Sequence, residues 1–215
     1  MINIGIVKDD VVYLASNSGY YTLPTACYMD TNMPCYAIDK VPNAIASYSG
    51  IIIEGQIFRF ATKLISLNKL KDGKLTKNHV VNYTLKNMIE GLYKRNILEE
   101  DEKMNGFQGS FLIAKDDRLF EISRDLDVRS IHSFIAVNEV LDFECLTYLA
   151  EFKNEDVIYQ ILKTFNIKLS KSDVGTYPII IRSTKEPRKP LVFSLEQTLK
   201  YIKDYEAKKE SELCY

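Results

Sequence analysis

The sequence predicts an α+β fold: a four-layer αββα sandwich in which two antiparallel sheets stack face to face and each carries a helical layer outside. Three observations lead there. Strand-like stretches come in runs separated by pairs of helix-like stretches, whereas a doubly wound parallel sheet would alternate strand with helix. Neighbouring strands are joined by short charged turns, INIGIV to VVYLAS across Lys8-Asp9-Asp10 and GSFLIAK to RLFEI across Asp116-Asp117, as antiparallel hairpins require. The chain has 215 residues, 46% of them apolar, enough to bury a sizeable core.

The elements follow in order. INIGIV and VVYLAS are rich in β-branched residues and form the first hairpin. The stretch 20–43 is polar, carries Pro24, Pro34 and Pro42, and reads as short irregular strands. AIASYSG at 44–50 is a small-residue strand turning at Gly50. Over 51–70 the apolar residues Ile53, Ile57, Phe60, Ala61, Leu64 and Leu67 share one helical face, and KDG closes the helix. A second helix runs from an N-cap at Asn78 to about Asn96, with a stripe of Val81, Leu85, Met88, Ile89 and Leu92. EEDEK at 99–103 reads as a solvated loop, and VRSIHSFIAV at 128–137 as one strand after the second hairpin. Two further helices carry the stripes Leu141, Cys145, Leu149, Phe152 and Val157, Ile158, Ile161, Leu162, Phe165. YPIIIRS at 177–183 is the last core strand. Residues 1–183 thus form the sandwich. Residues 184–215 form an extension, a Pro-punctuated loop and a helix with Leu195, Leu199 and Ile202 as its stripe. That helix docks across the body or serves as an arm for a partner.

Composition narrows the functional classes. Lys and Arg total 28 against 29 for Asp and Glu, a net charge of -1, which gives no reason to expect nucleic acid or an anionic membrane as partner. TKEPRKP at 184–190 is the densest basic stretch, and Glu186 interrupts it. No apolar run reaches the roughly 20 residues of a membrane helix. A charged segment followed by a long apolar one, the mark of a secretory leader, is missing from the first residues, so a cytoplasmic protein is expected. Cys27, Cys35, Cys145 and Cys214 show no CxxC pairing, and His79 and His132 are not at zinc-ligand spacing from them. Reduced thiols, no metal and no cofactor are expected. Phosphate-loop, dinucleotide and serine-elbow motifs are absent. A Cys–His dyad drawn from Cys27 or Cys35 with His79 or His132 is conceivable, as is Ser133 beside His132, but strand neighbours point to opposite faces.

IGIVKDDVVYLAS, IASYSGIIIEGQIFRFATKLI, GSFLIAKDDRLFEIS and SIHSFIAVNEVLDFECLTYLAE, in that order and spacing, resemble the proteasome β-subunit family, which includes the proteolytic subunit of the bacterial ATP-dependent two-component protease. The resemblance covers about residues 1–183. It implies the N-terminal-nucleophile hydrolase fold. In that family the mature chain begins with Thr, Ser or Cys. Its side chain attacks a peptide carbonyl while its α-amine, with a pKa near ~8, serves as base. An Asp after the second strand and a Lys on the next complete the site.

Carried over position by position, the resemblance places Met1 at the nucleophile, Asn17 at the Asp, Met33 near the Lys, and His132-Ser133-Phe134 at a Gly-Ser-Gly element that lines the family's site. A thioether has no proton to lose and is no acyl acceptor, and removal of Met1 would expose Ile2. Asn17 can bridge backbone groups but cannot balance a cation. The expectation is therefore a catalytically degenerate protein, with Met1, Asn17, Met33 and Ser133 as its degenerate-site positions and no catalytic residue. Met1 and Met33 would act as core filler. It would serve as a structural or binding component, self-associating through its helical layers, with a protein partner as a further expectation. The alternative is an active N-terminal-nucleophile peptidase or amidase with an atypical or processed site. Cleavage before Thr22, Thr25, Cys27, Thr31 or Cys35 would expose a nucleophile but remove the first hairpin.

Overall fold

A computed structural model describes residues 1–18, 35–50, 52–63, 70–94, 106–138, 141–171 and 176–213. Ten strands form two five-stranded antiparallel sheets: β1 (Asn3–Lys8), β2 (Val11–Ser18), β3 (Cys35–Ala37), β4 (Ala44–Ser49), β5 (Ser110–Lys115), β6 (Arg118–Ile122), β7 (Val128–Ile131), β8 (Phe134–Val137), β9 (Thr176–Ser183) and β10 (Leu191–Phe193). One sheet has the order β10-β9-β2-β1-β8 and the other β3-β4-β5-β6-β7. Helix α1 (Ile52–Lys63), the short α2 (Lys77–His79), a π-helical stretch (Val80–Leu85) and α3 (Lys86–Lys94) cover the second sheet. Helices α4 (Phe143–Glu151), α5 (Val157–Ser170) and α6 (Leu195–Leu213) cover the first. This is the expected α+β sandwich.

Strand alternation produces the layers. In β1, Ile2, Ile4 and Ile6 turn to the α4–α6 layer, which sends Asn3, Gly5 and Val7 toward the other sheet. In β4, Ala44, Ala46 and Tyr48 turn to the α1–α3 layer, which sends Ile45, Ser47 and Ser49 inward. A third cluster sits between the sheets and is built from Val12, Leu14, Ile45, Leu112, Ala114, Leu119, Ile135 and Val137. Gly5 marks where the sheets approach closely, since a β-carbon there would lie 2.8 Å from Leu119 Cδ2. The first hairpin keeps the register Lys8↔Val11, with Asp9 and Asp10 both in the left-handed region at φ 52° and 59°, as a two-residue turn matched to strand twist demands.

Several elements differ from the sequence reading. The stretch 128–137 is two strands in different sheets: β7 pairs with β6 and β8 with β1. The chain changes sheets at His132-Ser133, and a polar, exposed pair can sit at that crossover without cost. On α1 the buried aromatic is Phe58, at 0% exposure, while Phe60 is 60% exposed; the apolar stripe shifts because Tyr36 and Phe111 pack on Phe58. Leu64 and Leu67 lie outside the described residues, as does EEDEK at 99–103. The second helix is capped by Thr76, whose hydroxyl accepts from His79 N at 3.2 Å, and not by Asn78. On α6 only Ile202 of the expected stripe is buried, and Leu195 and Leu199 face solvent. That helix is held to α5 by Tyr205 stacking on Tyr159, with ring centroids 4.3 Å apart, and by Lys163 paired with Glu206 at 2.7 Å. The segment expected as a Pro-punctuated loop before α6 supplies β10, an edge strand of the first sheet.

Candidate functional site

The N-terminal end of β1 meets the C-terminal ends of β2, β4 and β8. Asn17 closes β2 there, at 1% exposure. The β2–β9 pairing slips between Asn17 and Ser18, and a bulge of this kind re-aims a side chain. The Asn17 Oδ1 accepts from Ile2 N at 2.8 Å, while Asn17 N donates to Ile2 O at 3.4 Å. Asn17 therefore fixes the backbone next to residue 1, using an uncharged amide.

Met1 is half-buried. Its side chain packs against the cluster beneath α1 and α3, and its amine donates to Asn138 Oδ1 at 3.4 Å. Asn138 follows β8 directly. Its carbonyl accepts from the Ser49 hydroxyl at the end of β4, and that hydroxyl also lies 3.4 Å from Ser110 O. This corner depends on Gly109, where a β-carbon would lie 1.8 Å from Ser49 O. The buried Glu54 of α1 ties the corner further by accepting from Gln108 N at 2.9 Å. Burial pushes the Glu54 carboxyl above its ordinary range, against the lowering effect of its bonds to the Gln108 and Gly109 backbone.

Met1 and Asn17 are therefore together, as the alignment expects. Ser133 is not with them. It is exposed, and its carbonyl accepts from Val7 N at 2.6 Å, at the opposite end of β1 and roughly 20 Å away at about 3.3 Å per residue. The single-strand reading of 128–137 caused this misplacement; with β8 paired to β1 in the register Asn3↔Val137, the segment beside Met1 is Val137-Asn138. Met33 lies outside the described residues. Reading missed Asn138, Ser49 and Asn3; the register of β8 against β1 is the signal that would have found Asn138.

The cysteines within the described residues are poor nucleophiles. Burial pushes the Cys35 thiol up to about 12, and that of Cys145 likewise to about 12. Cys35 donates to Leu14 O at 3.5 Å, His132 is exposed on the crossover, and His79 stacks on Tyr83. Cys27 and Cys214 lie outside the described residues. Among the described residues no group of three or more His, Cys, Asp or Glu could hold a metal ion, and no helix is long and apolar enough to cross a membrane.

No family model matches the chain, and no curated protein does. Solved structures do. Anbu, the ancestral β-subunit, from Yersinia bercovieri superposes with a TM-score of 0.70 at 9% identity, covering 100% of this chain and 97% of that one. Anbu from Pseudomonas aeruginosa, solved as a helical assembly of the Anbu complex, gives 0.66 at 10% identity over 99% and 95% of the two chains. Eukaryotic HslV from Trypanosoma brucei gives 0.57 at 10% identity over 85% and 98%. These likenesses show the fold: two antiparallel sheets between helical layers, as in proteasome-like N-terminal-nucleophile hydrolases.

Proposed function

We propose that this chain is a catalytically degenerate protein on the proteasome β-subunit fold, acting as an assembly or binding component. The observation that carries the reading is the Met1–Asn17 pair. Asn17 holds the backbone of residue 2 from the place where the resemblance puts an acid. Beside it stands a thioether, which offers neither a removable proton nor an electron pair suited to an acyl carbon. In this reading Met1 fills space a reacting side chain would need. Residues 184–215 add an edge strand and an outer helix to the first sheet, and the protein works in the cytoplasm.

Self-association through the helical layers is part of the proposal. Phe60 supports it, since it stands 60% exposed on the outer face of α1, and aromatic residues are enriched in protein interfaces relative to the rest of the surface. The Pseudomonas relative of this fold was solved as a helical assembly.

Intact mass after expression, followed by exposure to an electrophilic peptide, tests the catalytic half. A chain that starts at Met1 and forms no adduct is expected. A chain starting at Thr, Ser or Cys, or an adduct on any residue between the sheets, overturns it in favour of an active peptidase or amidase. Native mass spectrometry tests the other half. Phe60→Glu should shift an oligomer toward monomer while changing the stability of the fold by less than about 0.5 kcal/mol, as surface changes do. A wild-type monomer at high concentration removes the assembly role.

A further inference from the structure

Asn3 is 0% exposed, at the middle of the first sheet. Among the described residues neither its Nδ2 nor its Oδ1 has a hydrogen-bond partner, and the same holds for the hydroxyls of Ser16 and Ser47, both also 0% exposed. Buried polar atoms are almost always paired, and each exception needs a cause.

All three residues turn into the space between the sheets. Asn3 and Ser16 are directly opposed in the β1–β2 register. Alternation turns both inward, because Ile2, Ile4 and Ala15 face the helices and Leu14 faces the other sheet. Ser47 projects inward from β4 and is opposed to Cys35 on β3. Two contacts fix how the sheets lie across this point. On one flank Cys35 donates to Leu14 O at 3.5 Å. On the other Ser49 donates to the carbonyl of Asn138, which follows β8. Ser47 sits beside Cys35 and two residues before Ser49 in the second sheet, as Asn3 sits between Ser16 and Val137 in the first, so both polar sets turn into the same interior, which Val137, Leu112 and Cys35 also line.

We propose that Asn3, Ser16 and Ser47 form a binding site for ordered water, which goes beyond the reading above and holds whether or not residue 1 reacts. The set contains a two-proton donor, an amide acceptor and two hydroxyls able to do either, with no charge among them. That chemistry suits a small neutral molecule that both donates and accepts. At about three hydrogen bonds per buried water, on the order of two molecules satisfy it.

A high-resolution crystal structure together with water-oxygen-17 relaxation dispersion tests this on the full chain. The expected result is water density within hydrogen-bond reach of Asn3 Nδ2 and Ser47 Oγ, with a long-lived dispersion signal. Ser47→Ala should reduce that signal by about one molecule, and Asn3→Leu should abolish it. If Asn3→Leu does not fold, the Ser47→Ala comparison still decides. A dry interior, an Asn3 amide rotated onto backbone groups, or a dispersion signal unchanged in Ser47→Ala overturns the proposal.

Discussion

The space between the two sheets has two unlike halves. Toward the β1–β2 turn it is filled by Val7, Val12, Leu14, Ile45, Ala114, Leu119 and Ile135. Toward residue 1 the inward-facing positions mix Val137, Leu112 and Cys35 with Asn3, Ser16, Ser47, Ser49 and Ser110, all buried. One half is a core in the ordinary sense, where apolar area removed from water supplies the stability. The other gives up part of that contribution and keeps small hydrogen-bonding groups among its apolar residues, at the end where Met1, Asn17 and Asn138 converge. A chain selected only to hold this sandwich together would gain by carrying the apolar pattern through. The polar positions lie at the same end of the sandwich as Met1 and Asn17.

The sharpest test of that contrast is a pair of substitutions one strand turn apart. Leu14→Ala removes a fully buried side chain and should cost about 2–5 kcal/mol in urea unfolding. Ser16→Ala removes a hydroxyl with no protein partner among the described residues and should cost about 1 kcal/mol or less, the net worth of a single hydrogen bond. Equal losses at the two positions would break the comparison and make the polar half a structural core of its own. Gly5→Ala probes the boundary between the halves. Its new β-carbon meets Leu119 Cδ2 at 2.8 Å, and such overpacking should cost about 1–3 kcal/mol. A neutral result would mean that the sheets can separate there.

Much of this was legible in the sequence because it rests on local pattern. The hairpins at Asp9-Asp10 and Asp116-Asp117, the α5 face and the α+β sandwich itself follow from periodicity and turn chemistry. The Met1–Asn17 juxtaposition also followed, since it needs only the register of one hairpin. What failed depended on non-local pairing. Nothing between Val128 and Val137 announces that the chain crosses from one sheet to the other, because both halves are equally strand-like. Ser133 was consequently carried to the site and Asn138 was overlooked. The α6 stripe failed for a related reason. Tyrosine rings and ion pairs dock that helix, so Leu195 and Leu199 remain outside despite their spacing.

Glu121 offers the finest resolution of the contrast. It alternates with Phe120 and Ile122, which face the helices, so it points inward, opposite Leu112 and Arg129 in the strand register. It is 2% exposed, and its Oε2 has no hydrogen-bond partner. Burial raises its pKa, with Arg129 pulling the other way. A carboxyl whose folded pKa exceeds its unfolded one binds more protons in the native state. Stability therefore falls as pH rises from the ordinary carboxylate range through the raised value, and the full penalty remains above it. Glu121→Gln removes the charge and leaves the shape. It should stabilise the protein by on the order of 1 kcal/mol at neutral pH, a typical size for a single substitution, and by progressively less as pH is lowered through that window. Paired denaturation curves at pH 7 and pH 4 would show it. A variant less stable than wild type at pH 7 would mean that the carboxylate is held ionised by a partner, and that the polar half supports a buried charge as well as neutral groups.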